Sequence, residues 1–485
     1  MPLARPSPDS GGEPRELRRD PSVSRKVWLG QVLRRHLGFI ALLAAGLVLR
    51  VLVLIAYPQA FWYVDSSRYL QFSYGWHPDF GRQAGYSLFL KAVRQTGSLY
   101  TVSILQHLLG LAIAVAVYAF LQRRSVPRWL SVLAVTPILL DAFQLDIEHL
   151  VLAEMVFTTL IVAGLLALVW PARPSARSAG AAGLLLALST TLRTVSLPLV
   201  LITAAYLIVR RLGWRPTVAY AVGAAIPLLC YVAWLHHSYG QYGFSTIRGT
   251  FMYGRVAPIA DSDRLQLTSA QRALCPAQPV GERPIRSDWY IWSPDSPARD
   301  VDMETQQGFA MAVITQQPGT VARAIATDVA KFLVPNTVEP DWVCVTEGYL
   351  LPAEPPGPDY DWCRPNLRQA FSGRGNAATI PGPSPLTRAL GGYAHLVQTP
   401  RLVLGTSVIL VLAALLWRPR RRVDDRRVSD IVLIGGWGLG LIVLGVTGSM
   451  FDERYGLPSL AILPAAGALA LHRLIAVRRR ADLQR

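Results

Sequence analysis

Asp65 is the residue best placed to do chemistry. It stands just past an apolar run, in Phe61-Trp-Tyr-Val-Asp65-Ser-Ser-Arg-Tyr69, and is followed by Gly81-Arg-Gln-Ala-Gly85-Tyr-Ser-Leu-Phe-Leu90. A carboxylate at a lipid–water boundary can take a proton from a hydroxyl. Other ionisable residues gather at the same ends of neighbouring apolar runs. Arg82 follows Asp65. Asp141, Asp146, Glu148 and His149 surround a turn, with Glu154 a little beyond it. Arg193 closes another run, and Asp452, Glu453, Arg454 and Tyr455 fill a late turn. Charges at membrane depth are costly and face a cavity or a partner. Arginine at such a place suits a lipid phosphate, because its planar fork is always charged.

Each of these residues also has a plainer reading. Asp65 fits a solvated loop acid. Glu154 fits a structural partner for Arg193 as well as a substrate ligand. Arg193 and Arg454 fit snorkelling to head groups. Arg50, inside the first apolar run, reads as a member of a structural ion pair. His77, His107 and His149 lack metal-site spacing, so a divalent ion is possible but unsupported by the sequence, and no cofactor is assigned.

The elements that must position these residues are membrane helices. Hydrophobic residues are 52% of the 485, charged residues only 16%, and mean hydropathy is +0.31. Apolar runs that read as spans fall at about 37–57, 100–121, 128–143, 149–170, 179–195, 196–210, 217–236, 400–417, 429–448 and 455–474, the third and sixth of them short. The expected fold is therefore an all-α polytopic membrane protein of about ten transmembrane helices. The net charge of +17 sits mainly as arginine in alternate short breaks, which is the positive-inside pattern and argues against nucleic acid as a partner. Both termini are then cytoplasmic, and the acids and Arg193 and Arg454 are extracytoplasmic. No cleaved signal peptide is expected.

Residues 1–35 read as a disordered cytoplasmic tail, and 36–236 as a membrane domain whose first outward loop is 58–99. Residues 237–399 form an extracytoplasmic domain, 400–474 the C-terminal membrane helices, and 475–485 a basic tail. Segments 85–97 and 386–398 read as interfacial helices. Met303–Thr315 and Gly319–Phe332 read as two helices broken at Pro318, and 335–385 as loops. Cys275, Cys344 and Cys363 lie outside the cytoplasm, and Cys344–Cys363 is the shortest closure.

The ordered set of motifs resembles the GT-C class of membrane glycosyltransferases that use polyprenyl-phosphate sugars. That group includes protein O-mannosyltransferases, aminoarabinose transferases and actinobacterial cell-wall glycosyltransferases. The resemblance is carried by Asp65, Arg82-Gln-Ala-Gly-Tyr-Ser-Leu-Phe-Leu90, Leu152-Ala-Glu154-Met-Val-Phe157, Ala181 to Arg193, and Arg454-Tyr-Gly-Leu-Pro458. Ser87 and Thr194 stand where that class commonly has proline, and Ser66 stands where many members have a second acid. The resemblance implies a GT-C-like arrangement in the plasma membrane and inverting transfer of a sugar to a glycan, lipid or protein acceptor of the cell envelope. In that reading Asp65 is the catalytic base, and Arg82, Glu148, Glu154, Arg193, Arg454 and Tyr455 bind substrate. A transporter or lipid flippase, or a non-catalytic scaffold of envelope synthesis, are the rival readings.

Overall fold

The structure, a computed structural model, describes residues 33–284, 286–335, 350–353, 383–417 and 425–482. The tail 1–32, the 418–424 break, most of the 335–385 loops, and Cys344 and Cys363 lie outside the described residues. The described residues are helical, apart from loops and an isolated parallel bridge between Phe61 and Leu150.

The first helix, α1 (Leu37–Ala56), has twenty residues and is about 30 Å long. Helix α2 (Val64–Ser73) and helix α3 (Gly85–Val93) follow in the segment after it. Helix α3 buries Tyr86, Leu90 and Val93 and leaves Leu88 exposed, so one apolar face packs inward and another is free for lipid. Then come α4 (Tyr100–Arg123), α5 (Arg128–Leu140), α6 (Ala142–His149), α7 (Glu154–Val169), α8 (Ala176–Leu192), α9 (Leu197–Val209) and α10 (Trp214–Tyr239). Gly240 ends α10 with a left-handed φ of 70°, a conformation glycine reaches without a Cβ penalty.

Helices α1, α4 and α10 and the segments Arg427–Gly448 and Glu453–Arg478 are long and apolar enough to cross a membrane. The bent pair α5 and α6, at 47°, makes a sixth. Glu154–Val169, Thr194–Val209 and Leu402–Leu416 are apolar but shorter. Helix α8, where a span was expected at 179–195, has seventeen residues rich in Gly, Ala, Ser and Thr. It packs closely on α10, where a Cβ at Gly183 would strike the Tyr220 carbonyl and one at Gly223 the Gly180 carbonyl. Small residues let membrane helices approach in this way.

Two sequence expectations are corrected around residues 141–154. The segment 143–149, expected as a turn, is helix α6. Asp141 ends α5 and caps α6 by accepting from the Phe143 and Gln144 amides at 2.8 and 3.4 Å. Glu154, expected about two turns into a span, is the first residue of α7, and Glu148, expected in the turn, lies on α6. Leu150 is extended between them, held by Phe61 N–H donating to the His149 carbonyl and Val151 N–H to the Phe61 carbonyl, both at 2.9 Å.

The segment after α10 has its own core of Tyr253, Tyr290, Phe309 and Val313. It is carried by α11 (Arg248–Val256), α12 (Ser287–Trp292), α13 (Met303–Gln316) and α14 (Pro318–Leu333). Pro318 begins α14 at its first turn, where a missing N–H costs nothing. Helix α15 (Pro385–Leu396) packs Leu390 and Ala394 against Val53 and Leu145 of the membrane helices. Then α16 (Leu402–Leu416), α17 (Asp425–Gly448) and α18 (Leu457–Asp482) complete the chain, and α18 runs past the expected end at 474. Cys230 is exposed on α10, and Cys275 is a free thiol.

Candidate functional site

The loop between α1 and α2 is fixed before it reaches Asp65. Ser66 Oγ accepts from Tyr63 N–H at 2.8 Å and donates to the Val151 carbonyl at 2.9 Å. Ser66 thus has a structural task. Asp65 falls in the first turn of α2, where the helix dipole favours a negative charge.

The Asp65 carboxylate is 4% exposed and faces two guanidinium groups. Arg82 Nη2 is 2.6 Å from Oδ1, and Arg454 Nη1 donates to Oδ2 at 3.0 Å. Burial pushes the Asp65 carboxyl up, but Arg82 and Arg454 together pull it down further and hold it below the usual carboxylate range.

Arg454 is aimed by its neighbour. Asp452 caps the turn by accepting from Arg454 N–H at 3.1 Å and takes a second bond from Arg454 Nε at 2.9 Å. Glu154, the first residue of α7, is 2% exposed. It pairs with Arg193 and lies 3.9 Å from Arg454 Nη1. Arg193 leaves the end of α8 in extended backbone, and its guanidinium stands 4.7 Å over the Tyr455 ring. Arg454 lies between two rings, 4.8 Å from Tyr63 and 5.4 Å from Tyr455.

Six charges are therefore interlocked: Asp65, Glu154 and Asp452 with Arg82, Arg193 and Arg454. Beside them is a cavity of about 520 Å³ lined by Arg82, Arg193, Arg454 and Tyr455. Its other walls are largely apolar, from Phe157, Val195, Leu197 and Pro198 to Leu441, Leu444 and Pro458. Asp65 stands behind Arg82 and Arg454, which front it on the cavity. No family model, curated protein or solved structure matches the chain.

The structure brings together Asp65, Arg82, Glu154, Arg193, Arg454 and Tyr455. It does not bring Glu148. That residue, expected to bind substrate, is fully buried between α1 and α4, with Arg50 Nη2 at 2.7 Å on one oxygen and His107 Nδ1 at 2.7 Å on the other. Gln144 also donates to it at 2.8 Å. Its lone pairs are occupied by protein, which is a structural role and corrects the expectation. Gly110 makes the room, because a Cβ there would collide with the Glu148 carboxylate. Among the described residues, no three His, Cys, Asp or Glu side chains come together to hold a metal ion.

Sequence reasoning missed the part played by the segment after α10. Thr246 N–H donates to the Phe80 carbonyl at 2.8 Å, which joins that segment to the loop carrying Arg82. Gly243, Phe244, Ser245, Arg248 and Phe251 line the cavity, and Arg82 lies 5.9 Å over Phe251 and 5.8 Å over Trp292. No motif flags these positions. The signal available was an arginine, Arg248, set among aromatics soon after a span.

Proposed function

We propose that the protein is an inverting glycosyltransferase that moves a sugar from a polyprenyl-phosphate donor to an extracytoplasmic acceptor of the cell envelope. The observation that carries this reading is the pairing of a buried carboxylate, Asp65, with arginines that also front an apolar-walled cavity. A lipid phosphate has the matching parts: an anion for the guanidinium groups and a hydrocarbon chain for the walls.

In this reading Arg454 and Arg193 hold the donor phosphate while the prenyl chain lies against the Pro198 and Leu444 side. The acceptor hydroxyl oxygen attacks the anomeric carbon from the opposite face. The bond from that carbon to the phosphate oxygen breaks, and its electron pair leaves with the phosphate. The hydroxyl proton passes to Asp65. Charge grows on the leaving phosphate during the step, and fixed guanidinium groups stabilise it.

Asp65 begins as a well-stabilised carboxylate behind Arg82 and Arg454. A donor phosphate competes with it for the same guanidinium groups. As Arg454 turns to the phosphate, Asp65 loses a countercharge and its affinity for a proton rises. Donor binding then exposes the base at the moment it is needed.

The cluster sits at one end of the bundle: the start of α7, the end of α8 and the turn before α18. A path for flipping a lipid needs polar groups through both leaflets. The opposite helix ends carry Arg124, paired with Asp430 at 2.5 Å, and Arg123 beside the Trp170 carbonyl. On the positive-inside rule that end is cytoplasmic, which makes the site extracytoplasmic in a plasma-membrane protein of about ten spans with both termini inside. Reporter fusions at Arg124 and Trp214 should read as cytoplasmic, and one at Gln83 as outside.

The deciding experiment is sugar transfer from a defined polyprenyl-phosphate sugar by the purified protein in nanodiscs, with lipid-linked sugars and envelope glycans analysed in a deletion strain. A deletion strain with unchanged glycans and no accumulated lipid-linked sugar would refute the reading.

A further inference from the structure

Each inner arginine already faces a carboxylate. Arg82 and Arg454 are tied to Asp65, Arg454 also to Asp452, and Arg193 to Glu154. An arginine already neutralised by a carboxylate at hydrogen-bond distance offers an approaching anion little net attraction. The inner arginines can bind a phosphate once it is among them, but they are poorly suited to draw it in.

Arg248 is different. It lines the same cavity, is exposed, and makes no ion pair among the described residues. It is the cation left over when the six inner charges are set against one another. It is also the first residue of α11, whose N-cap residue, Ile247, supplies no side-chain cap. Helix N-termini with uncapped amides favour anions. The loop before it is fixed to the wall of the site by Thr246 and Ser245, both bonded to the Phe80 carbonyl. Gly249, next along, packs so tightly on Met303 of α13 that a Cβ would clash with its carbonyl. Arg248 is thus a free charge on a rigid base, at the edge of a cavity whose other cations are spoken for.

We propose that Arg248 captures the donor's phosphate before the inner arginines engage it, and so sets donor affinity more than the rate of transfer. This rests on the reading of the cavity as the site of an anionic lipid. The ligand chemistry is a phosphate group on a prenyl chain. The soluble alternative is phosphate with no chain.

The test is direct binding of a fluorescent short-chain polyprenyl phosphate to the full-length protein in phosphatidylcholine nanodiscs. Arg248→Gln should weaken binding by about tenfold to a hundredfold, the range for loss of one charge-assisted hydrogen bond. Arg248→Lys should recover part of that loss. The uncharged polyprenol should bind wild type and Arg248→Gln alike. Salt should weaken the wild type more than the variant, since a free charge is what salt screens. In sugar transfer, Arg248→Gln should raise the donor KM by a larger factor than it lowers kcat.

Equal phosphate-lipid affinity in wild type and Arg248→Gln would overturn the proposal while leaving the glycosyltransferase reading intact. Inorganic phosphate competing as strongly as the lipid phosphate would overturn the prenyl-linked ligand. Arg248-dependent binding without any sugar transfer would uphold the capture role and sink the glycosyltransferase reading. Arg248 is exposed, so its variants should melt as the wild type does.

Discussion

Asp65 Oδ2 accepts a hydrogen bond from Arg454 Nη1 at 3.0 Å, across 389 positions of the chain. The bond joins the loop after α1 to the turn between the last two long helices, and both residues are buried. It has two consequences. It fixes the carboxylate as an anion, and it places that anion directly behind a guanidinium that fronts the cavity.

Asp65→Asn keeps the shape and removes the charge. The variant should insert in the membrane and still bind polyprenyl phosphate, because the arginines are then less neutralised. Transfer should fall by about 10²–10⁴, the usual cost of losing a general base. Single-turnover transfer in nanodiscs, with donor binding measured separately, checks this. Near-normal transfer would remove Asp65 from the chemistry.

Arg454→Lys tests the fork. Arg454 bonds Asp452 through Nε and Asp65 through Nη1, and one ammonium cannot span both with the same planarity. Transfer efficiency should drop by about tenfold to a hundredfold, as expected for one lost charge-assisted bond. Unchanged kcat/KM would show that the phosphate does not use this side chain.

Much of this arrangement was legible in the sequence because it rests on local signals. Apolar length marked most long helices, and an acid or arginine at a helix end marked Asp65, Arg193 and Arg454. What was not legible depends on tertiary closure. Nothing local says that Glu148 is taken by Arg50 and His107, since Arg50 lies 98 positions away. The break at Leu150 comes from pairing with Phe61, not from a breaker residue, so the following helix was expected to start near 149 and not at Glu154. The place of Arg248 at the cavity depends on the segment after α10 folding back onto Phe80, which no local signal reports.

The pH dependence follows from the depressed Asp65. Its folded-state pKa is lowered, so its contribution to stability is fully present above the unfolded aspartate value of about 3.9 and is lost as pH falls through the folded value. The Asp65–Arg82–Arg454 connection should therefore be constant from neutral pH down to about pH 4. Thermal unfolding of the donor-free protein should show no acidic limb from Asp65 in that interval. A break in the donor-free unfolding temperature between about pH 5 and 7 that disappears in Asp65→Asn would contradict this.

Glu148 separates stability from chemistry. It is fully buried, and its loss leaves Arg50 buried with only carbonyl partners, Gly46, Ile138 and Leu139. Breaking a buried pair from one side costs on the order of 3–5 kcal/mol. Glu148→Gln should therefore lower the thermal unfolding temperature in detergent and reduce yield. Gly110→Ala should do the same from the other helix, because its new Cβ would enter the space of the Glu148 carboxylate. Overpacking of this kind costs about 1–3 kcal/mol. In both variants the protein that remains folded should bind polyprenyl phosphate as the wild type does, since Glu148 is not among the residues of the cavity. That differs from the pattern for Asp65→Asn, whose folded fraction should bind donor and yet transfer almost no sugar. A Glu148→Gln protein with wild-type stability but lost donor binding would return Glu148 to the site and remove the structural assignment.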